Sequence, residues 1–188
     1  MSRTALWPTS APADLLAVKR LVYDPCGFVC SPLSPENEGR AYGAQAFQLD
    51  GRSVRSRVAK LTPTKNGLFV TVWKRPVPGP IQPFDPADGI DLVVVTAREG
   101  QHFGQFVFPT AILGRQGIVA SAPGVGEGGV PRKAGPGKRA FRVYPPWTVT
   151  GSGQATRTAA WQRPYFLPID ESGTGLLDLE RARVLYRG

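Results

Sequence analysis

"AQAFQLDGRSVRSRVAKLT", residues 44–62, carries the signal that decides the fold. Phe47 and Leu49 flank polar Gln48 and lead into Asp50-Gly51, a dipeptide that tolerates the positive φ a tight turn requires. The stretch therefore predicts a β-hairpin. Asn66-Gly67 in "PTKNG" repeats the turn signal before "GLFVTVWK" (67–74), so a third strand is expected to extend the hairpin into a meander. On the second strand, alternation puts Val54, Ser56, Val58 and Lys60 on one face and Arg55, Arg57, Ala59 and Leu61 on the other. Cations and apolar groups thus share both faces. Arg55 and Arg57 are expected at a sheet rim and Lys60 in a cleft.

Outward from the hairpin, "ADLLAVKRLVYDP" spaces Leu15, Leu16, Val18, Leu21 and Val22 as one face of a helix, expected over 12–24 and stopped by Pro25. A Pro/Ser loop with a short helical turn near Glu38 and Arg40 links it to the hairpin. After the proline-rich connection 75–89, "IDLVVVTA" (90–97) is almost wholly apolar and reads as a central strand covered on both faces. "HFGQFVFP" (102–109) is the next strand, and "TAILGRQG" a short helix ended by Gly117. Residues 121–139 read as a mobile Gly/Pro loop carrying Arg132, Lys133, Lys138 and Arg139. "AFRVYPPW" (140–147) returns as a strand, "GQATRTAAWQRPYF" starts a helix near Gly153, and a terminal amphipathic helix is expected over 175–186 with Leu176, Leu177, Leu179 and Val184. The sum is α/β: one domain over 1–188, with a core at 42–168 and a central mixed sheet flanked by helices.

Charge separates the function classes. The chain has a formal net charge of +9 in 188 residues, and 41% of it is hydrophobic. Seven cations and no acid lie between Gly51 and Phe84, and again seven and none between Gly128 and Ile169. Neither stretch holds internal ion-pair partners, so together they predict an anion-binding surface. No apolar run approaches the roughly 18 residues of a membrane-spanning helix, and no secretion signal opens the chain. Cys26 and Cys30 form no disulfide framework, so a reduced protein of the cytoplasm is expected. With His102 they make three potential zinc ligands where a structural site takes about four. "GPGKR" misses phosphate-loop spacing, and a single histidine leaves no Ser/His/Asp triad.

Two rims follow from the basic stretches. Arg55, Arg57, Lys60, Lys65 and Lys74 form one. Arg142, Gln154, Arg157, Thr158 and Gln162 form the other across a groove, joined by Tyr144 and Trp147 of "RVYPPW". Cations clamp phosphates and release counterions, Gln and Thr position them, and aromatic rings stack on unpaired bases. The expected partner is nucleic acid, DNA ahead of RNA, with no membrane role; oligomeric state is not legible.

"YGAQAFQLDG", "RVAKLTPTKNGLFVTVWKR", "GPIQPFD", "IDLVVV", "GQFVFP", "RVYPPW" and "QATRTAAWQRPYF", spread in order from Tyr42 to Phe166, together resemble the MepB-like family of bacterial proteins. The resemblance implies a restriction-endonuclease-like fold and a role in binding nucleic acid. Nucleases of that fold place one acid at a strand start and a carboxylate-x-lysine on the next strand, the carboxylates holding Mg²⁺ or Mn²⁺. Two registers can be tried. Asp50 with Lys60 leaves Val58 in the carboxylate position; Asp91 with the next strand leaves Gln105 for the acid and Val107 for the lysine. Neither is complete without a migrated acid such as Glu38 or Asp88. The ranking is therefore a binding protein on a nuclease-like scaffold, without efficient catalysis or cofactor. A divergent nuclease using Asp91 comes next, and a binder of a small phosphorylated ligand last, the last expected to show a compact pocket holding Lys60 and Arg142.

Overall fold

The computed structural model describes residues 4–76, 78–121, 135–172 and 178–188, and the backbone of 124–125 and 131–132. In chain order the elements are α1 (Ala13–Val18), β1 (Ser34–Pro35), β2 (Gln45–Leu49), β3 (Arg52–Val58), β4 (Leu68–Thr71), β5 (Trp73–Lys74), β6 (Gln82–Pro83), β7 (Leu92–Glu99), β8 (His102–Pro109) and α2 (Thr110–Arg115). Then come β9 (Gly124–Val125), β10 (Pro131–Arg132), β11 (Ala140–Val143), α3 (Gly153–Gln162), β12 (Phe166–Pro168) and α4 (Leu179–Arg187). The main sheet is mixed, six strands in the order β1-β2-β3-β7-β8-β12.

The Asp50-Gly51 turn forms as its dipeptide demands, with φ of 48° and 83°, and sets Leu49 opposite Arg52. The third strand then departs from a meander. β3 pairs in parallel with β7, from Val54↔Leu92 to Val58↔Thr96, while β4 meets the end of β3 only at the Lys60↔Phe69 bridge. β4 instead pairs antiparallel with β11 in a small sheet, and its run is broken at Val72 before β5. The cause is burial. Leu92 to Ala97 of β7 are all buried, so this strand needs neighbours at both edges and cover on both faces, and it takes the inner edge of β3.

Alternation along β7 and β8 divides the core. Leu92, Val94, Phe103 and Val107 face Leu15, Val18, Val22 and Tyr23 of the N-terminal helical segment and Ala182 and Tyr186 of α4. Val93, Val95, Phe106 and Phe108 face Leu68 and Val70 of β4, Val143 of β11 and Leu113 of α2, with Trp161 of α3 packed against them. The N-terminal helix expected over 12–24 is α-helical to Val18 and continues as a π-turn through Lys19–Tyr23. Asp178 caps α4 by accepting from Arg181 N at 2.8 Å. Leu176 and Leu177, with the first turn expected of that helix, lie outside the described residues, as do the side chains of Arg132 and Lys133. Val184 is 67% exposed, so α4 packs through Ala182 and Tyr186 instead. Among the described residues no helix is long and apolar enough to cross a membrane.

Gly104 shows how tightly β8 and β12 close. A Cβ there would meet Phe166 Cζ at 2.2 Å and Leu167 O at 2.7 Å. Backbone on one side and a buried ring on the other leave nothing free to move. Gly104→Ala is expected to cost about 2–3 kcal/mol, read as a lower denaturation midpoint with an unchanged denaturant slope.

Candidate functional site

A half-open cleft of about 710 Å³ lies between the β4–β11 sheet and α3. Among the described residues its cations are Lys65, Lys138 and Arg142, and neither aspartate nor glutamate lines it. Thr64, Asn66, Gln116, Ser152, Gln154 and Thr158 add neutral polar groups; Phe141, Tyr144 and Trp161 add aromatic surface.

Each wall has a local cause. Ser152 caps α3, its Oγ accepting from Ala155 N at 3.2 Å. Gln154, Thr158 and Trp161, one turn apart on that helix, then face the cleft. Arg142 holds the opposite loop: Nη1 donates to Gly67 O at 2.8 Å and Lys65 O at 3.2 Å, and Nη2 to Thr62 Oγ1 at 2.6 Å. The chain can pass this close because Gly67 (φ 80°) has no side chain; a Cβ there would lie 2.6 Å from Tyr144 Cε1. Asn66 ties the same loop to the approach of α3 by donating to Val149 O at 3.0 Å.

The predicted rims are thus partly rearranged. Lys65, Arg142, Tyr144, Gln154 and Thr158 come together in the cleft. Arg55 and Arg57 do not: both pair with Glu36, and Arg57 is 1% exposed, also donating through Nε to Thr71 O at 3.2 Å. Burial draws the Arg57 pKa down and Glu36 opposes it. Lys74 is bound by Asp85 at 2.7 Å and Asp88 at 2.6 Å; burial works against its charge, but these hydrogen bonds prevail and raise its pKa. These three cations leave the candidate surface because each already has its anion. Lys60 sits 5.2 Å from the Tyr42 ring and does not line the cleft, nor does exposed Arg157. Trp147 stacks on His102 at 5.1 Å and donates to Glu99. Gln162 is fully buried and works as a brace: its Oε1 accepts from Tyr144 N and its Nε2 donates to Arg142 O, both at 2.9 Å. Lys138, expected on a mobile arm, is a wall residue held by Lys138 N donating to Ile118 O at 2.8 Å. Asn66 was visible in the sequence only as a turn signal; Thr64, Gln116 and the helix-capping Ser152 were not singled out there.

A family profile for MepB-like proteins matches residues 36–168. This chain belongs to the MepB-like family. The crystal structure of MepB superposes with a TM-score of 0.65 at 30% identity, covering 84% of this chain and 97% of that one. No curated protein matches the sequence.

In this MepB-like chain the two nuclease registers come apart. Asp91 precedes β7, whereas Gln105 pairs with Thr96, five residues further along, a separation of roughly 16 Å. Gln105 is instead a core residue: its Oε1 accepts from the Tyr23 and Tyr186 hydroxyls, and its Nε2 donates to Thr96 Oγ1 at 2.9 Å. Burial drives both tyrosine pKa values far up, which keeps the hydroxyls neutral donors. Asp50 and Lys60 lie beyond opposite ends of β3. The remaining acids are engaged: Asp91 accepts from Ser53 N at 2.7 Å, Asp50 from Val29 N at 2.7 Å, and Glu38 pairs with Arg75 at 2.7 Å. Among the described residues no three of His, Cys, Asp and Glu gather as metal ligands. Cys30 is buried, and its thiol is pushed up to about 11 by that burial, a protonated and inert state.

Proposed function

We propose that this MepB-like protein binds nucleic acid by drawing a stretch with unpaired bases into the cleft between β11 and α3, using the nuclease-like scaffold to hold the strand rather than to cut it. One observation carries the reading: Lys65 and the Lys138/Arg142 pair, more than 70 residues apart in sequence, line one concavity with no carboxylate among its described residues. Three cations with no ion-pair partner among the described residues favour a polyanion, because each phosphate they meet releases condensed counterions. Tyr144 and Trp161 offer stacking surface that is indifferent to base identity. DNA ranks ahead of RNA only by the order the sequence suggests, so both belong in the test.

A volume of about 710 Å³ also suits a single nucleotide or another small phosphorylated ligand. The experiment separates the two. Fluorescence anisotropy with labelled single-stranded DNA, single-stranded RNA and duplex is titrated across salt, with Mn²⁺ present or absent and with AMP as competitor. Two to three cations on a single strand predict a slope of log K against log salt of about −1.4 to −2.1. No binding at low salt, or binding indifferent to salt, sinks the proposal. Displacement by AMP as readily as by an oligonucleotide transfers the site to small ligands, and Mn²⁺-dependent cutting transfers it to catalysis.

A further inference from the structure

The floor of the cleft is a strand edge left partly unpaired. In β11, Phe141 and Val143 turn their peptide groups towards β4, in step with Val72 N donating to Arg139 O. Ala140 and Arg142 therefore turn theirs the other way, to the α3 side. Two contacts confirm that direction and bound the free edge. Gln162 takes Arg142 O and Tyr144 N at one end, and Lys138 N donates to Ile118 O at the other. Between them Ala140 N–H, Ala140 C=O and Arg142 N–H have no hydrogen-bond partner among the described residues, and both residues line the cleft. Within β11 the free edge is one short array: donor, acceptor, donor.

An added peptide strand would need more edge than this, and Gln162 closes off the next pair. A planar base does not. Uracil and thymine present acceptor, donor, acceptor along O4, N3–H and O2, the complement of the array at all three points. Adenine and cytosine each offer one matching donor–acceptor pair. Guanine sets its N2 amino donor against a backbone donor.

We infer that the cleft is a subsite for an unpaired uracil or thymine, whose O4, N3–H and O2 edge is read by the main chain of Ala140–Arg142. The base lies among Tyr144, Trp161 and Ile118, and the flanking phosphates meet Lys65 and Lys138. The inference rests on the nucleic-acid reading above and names the base that reading leaves open. Pairing with the main chain also excludes a base already in a duplex, because the same edge is then occupied.

The probe is an oligothymidylate, compared with oligomers of adenine and cytosine of equal length and with one whose thymines are N3-methylated. Methylation removes the central donor while phosphates and ring stacking remain, so it separates edge reading from the general ease of stacking on pyrimidine strands. The expected order is thymine first, with about tenfold weaker binding of the N3-methyl oligomer and an unchanged salt slope. Backbone amide shifts of Ala140 and Arg142 are expected to move with oligothymidylate and stay put with the methylated form. Equal binding of thymine and N3-methylthymine overturns the base assignment while the salt dependence keeps the nucleic-acid reading standing. Absence of binding to every oligomer overturns both.

Discussion

Glu36→Gln is expected to cost about 3–5 kcal/mol of unfolding free energy, the largest stability effect of any single substitution proposed for this chain. Arg57 has 1% of its surface exposed, and Glu36 is its only carboxylate partner among the described residues. Its Nη2 is already buried without a hydrogen bond, and its guanidinium stands 5.6 Å from the Phe84 ring, so no second anion is at hand. Neutralising Glu36 leaves a cation in the interior, and such a charge costs far more than the pair was worth. The double variant Glu36→Gln/Arg57→Met removes both charges and is expected to regain most of the loss. Chemical denaturation of the three proteins decides it. If Glu36→Gln unfolds at the wild-type midpoint, Arg57 is solvated in solution and the interior pair has no weight.

Lys65→Ala/Lys138→Ala is the counterpart for binding. Removing two of the three cations that line the cleft among the described residues is expected to weaken single-strand affinity roughly 10- to 100-fold at low salt and to flatten the salt slope by about 1.4. Both side chains are exposed, and neither has an ion-pair partner among the described residues, so the fold is expected to tolerate the change. Arg55→Ala, whose charge is already met by Glu36 at 3.3 Å, is expected to leave the slope as it was. Anisotropy across salt reads all three proteins. An unchanged slope in the lysine double variant would show that the cleft is not where phosphates are held.

The contrast between Arg55 and Lys65 shows what acid-free sequence can and cannot say. Both sit in a run without carboxylates, yet Glu36 reaches Arg55 and Arg57 from the loop ahead of β2, and Asp85 and Asp88 reach Lys74 from beyond β6. Local composition cannot register a partner that arrives through the fold. The same holds for Gln105 and Gln162. As uncharged amides they suggested a degenerate metal ligand and a phosphate contact, whereas burial made them hydrogen-bonding braces of the interior.

The amino-acid sequence by itself determined the Asp50-Gly51 hairpin, the apolar strand Leu92–Ala97 at the centre of the sheet, and the start of α3 near Gly153, because turn, strand and helix preferences act over a few neighbouring residues. It also determined family membership, carried by ordered motifs over residues 36–168. Only the tertiary structure decided that β7 displaces β4 from the edge of β3, which cations keep their charge unmet, and that β11 leaves one short peptide edge open. Those outcomes turn on which distant segments win the same buried space, a competition settled by the summed burial of whole strands and invisible in any window of the chain.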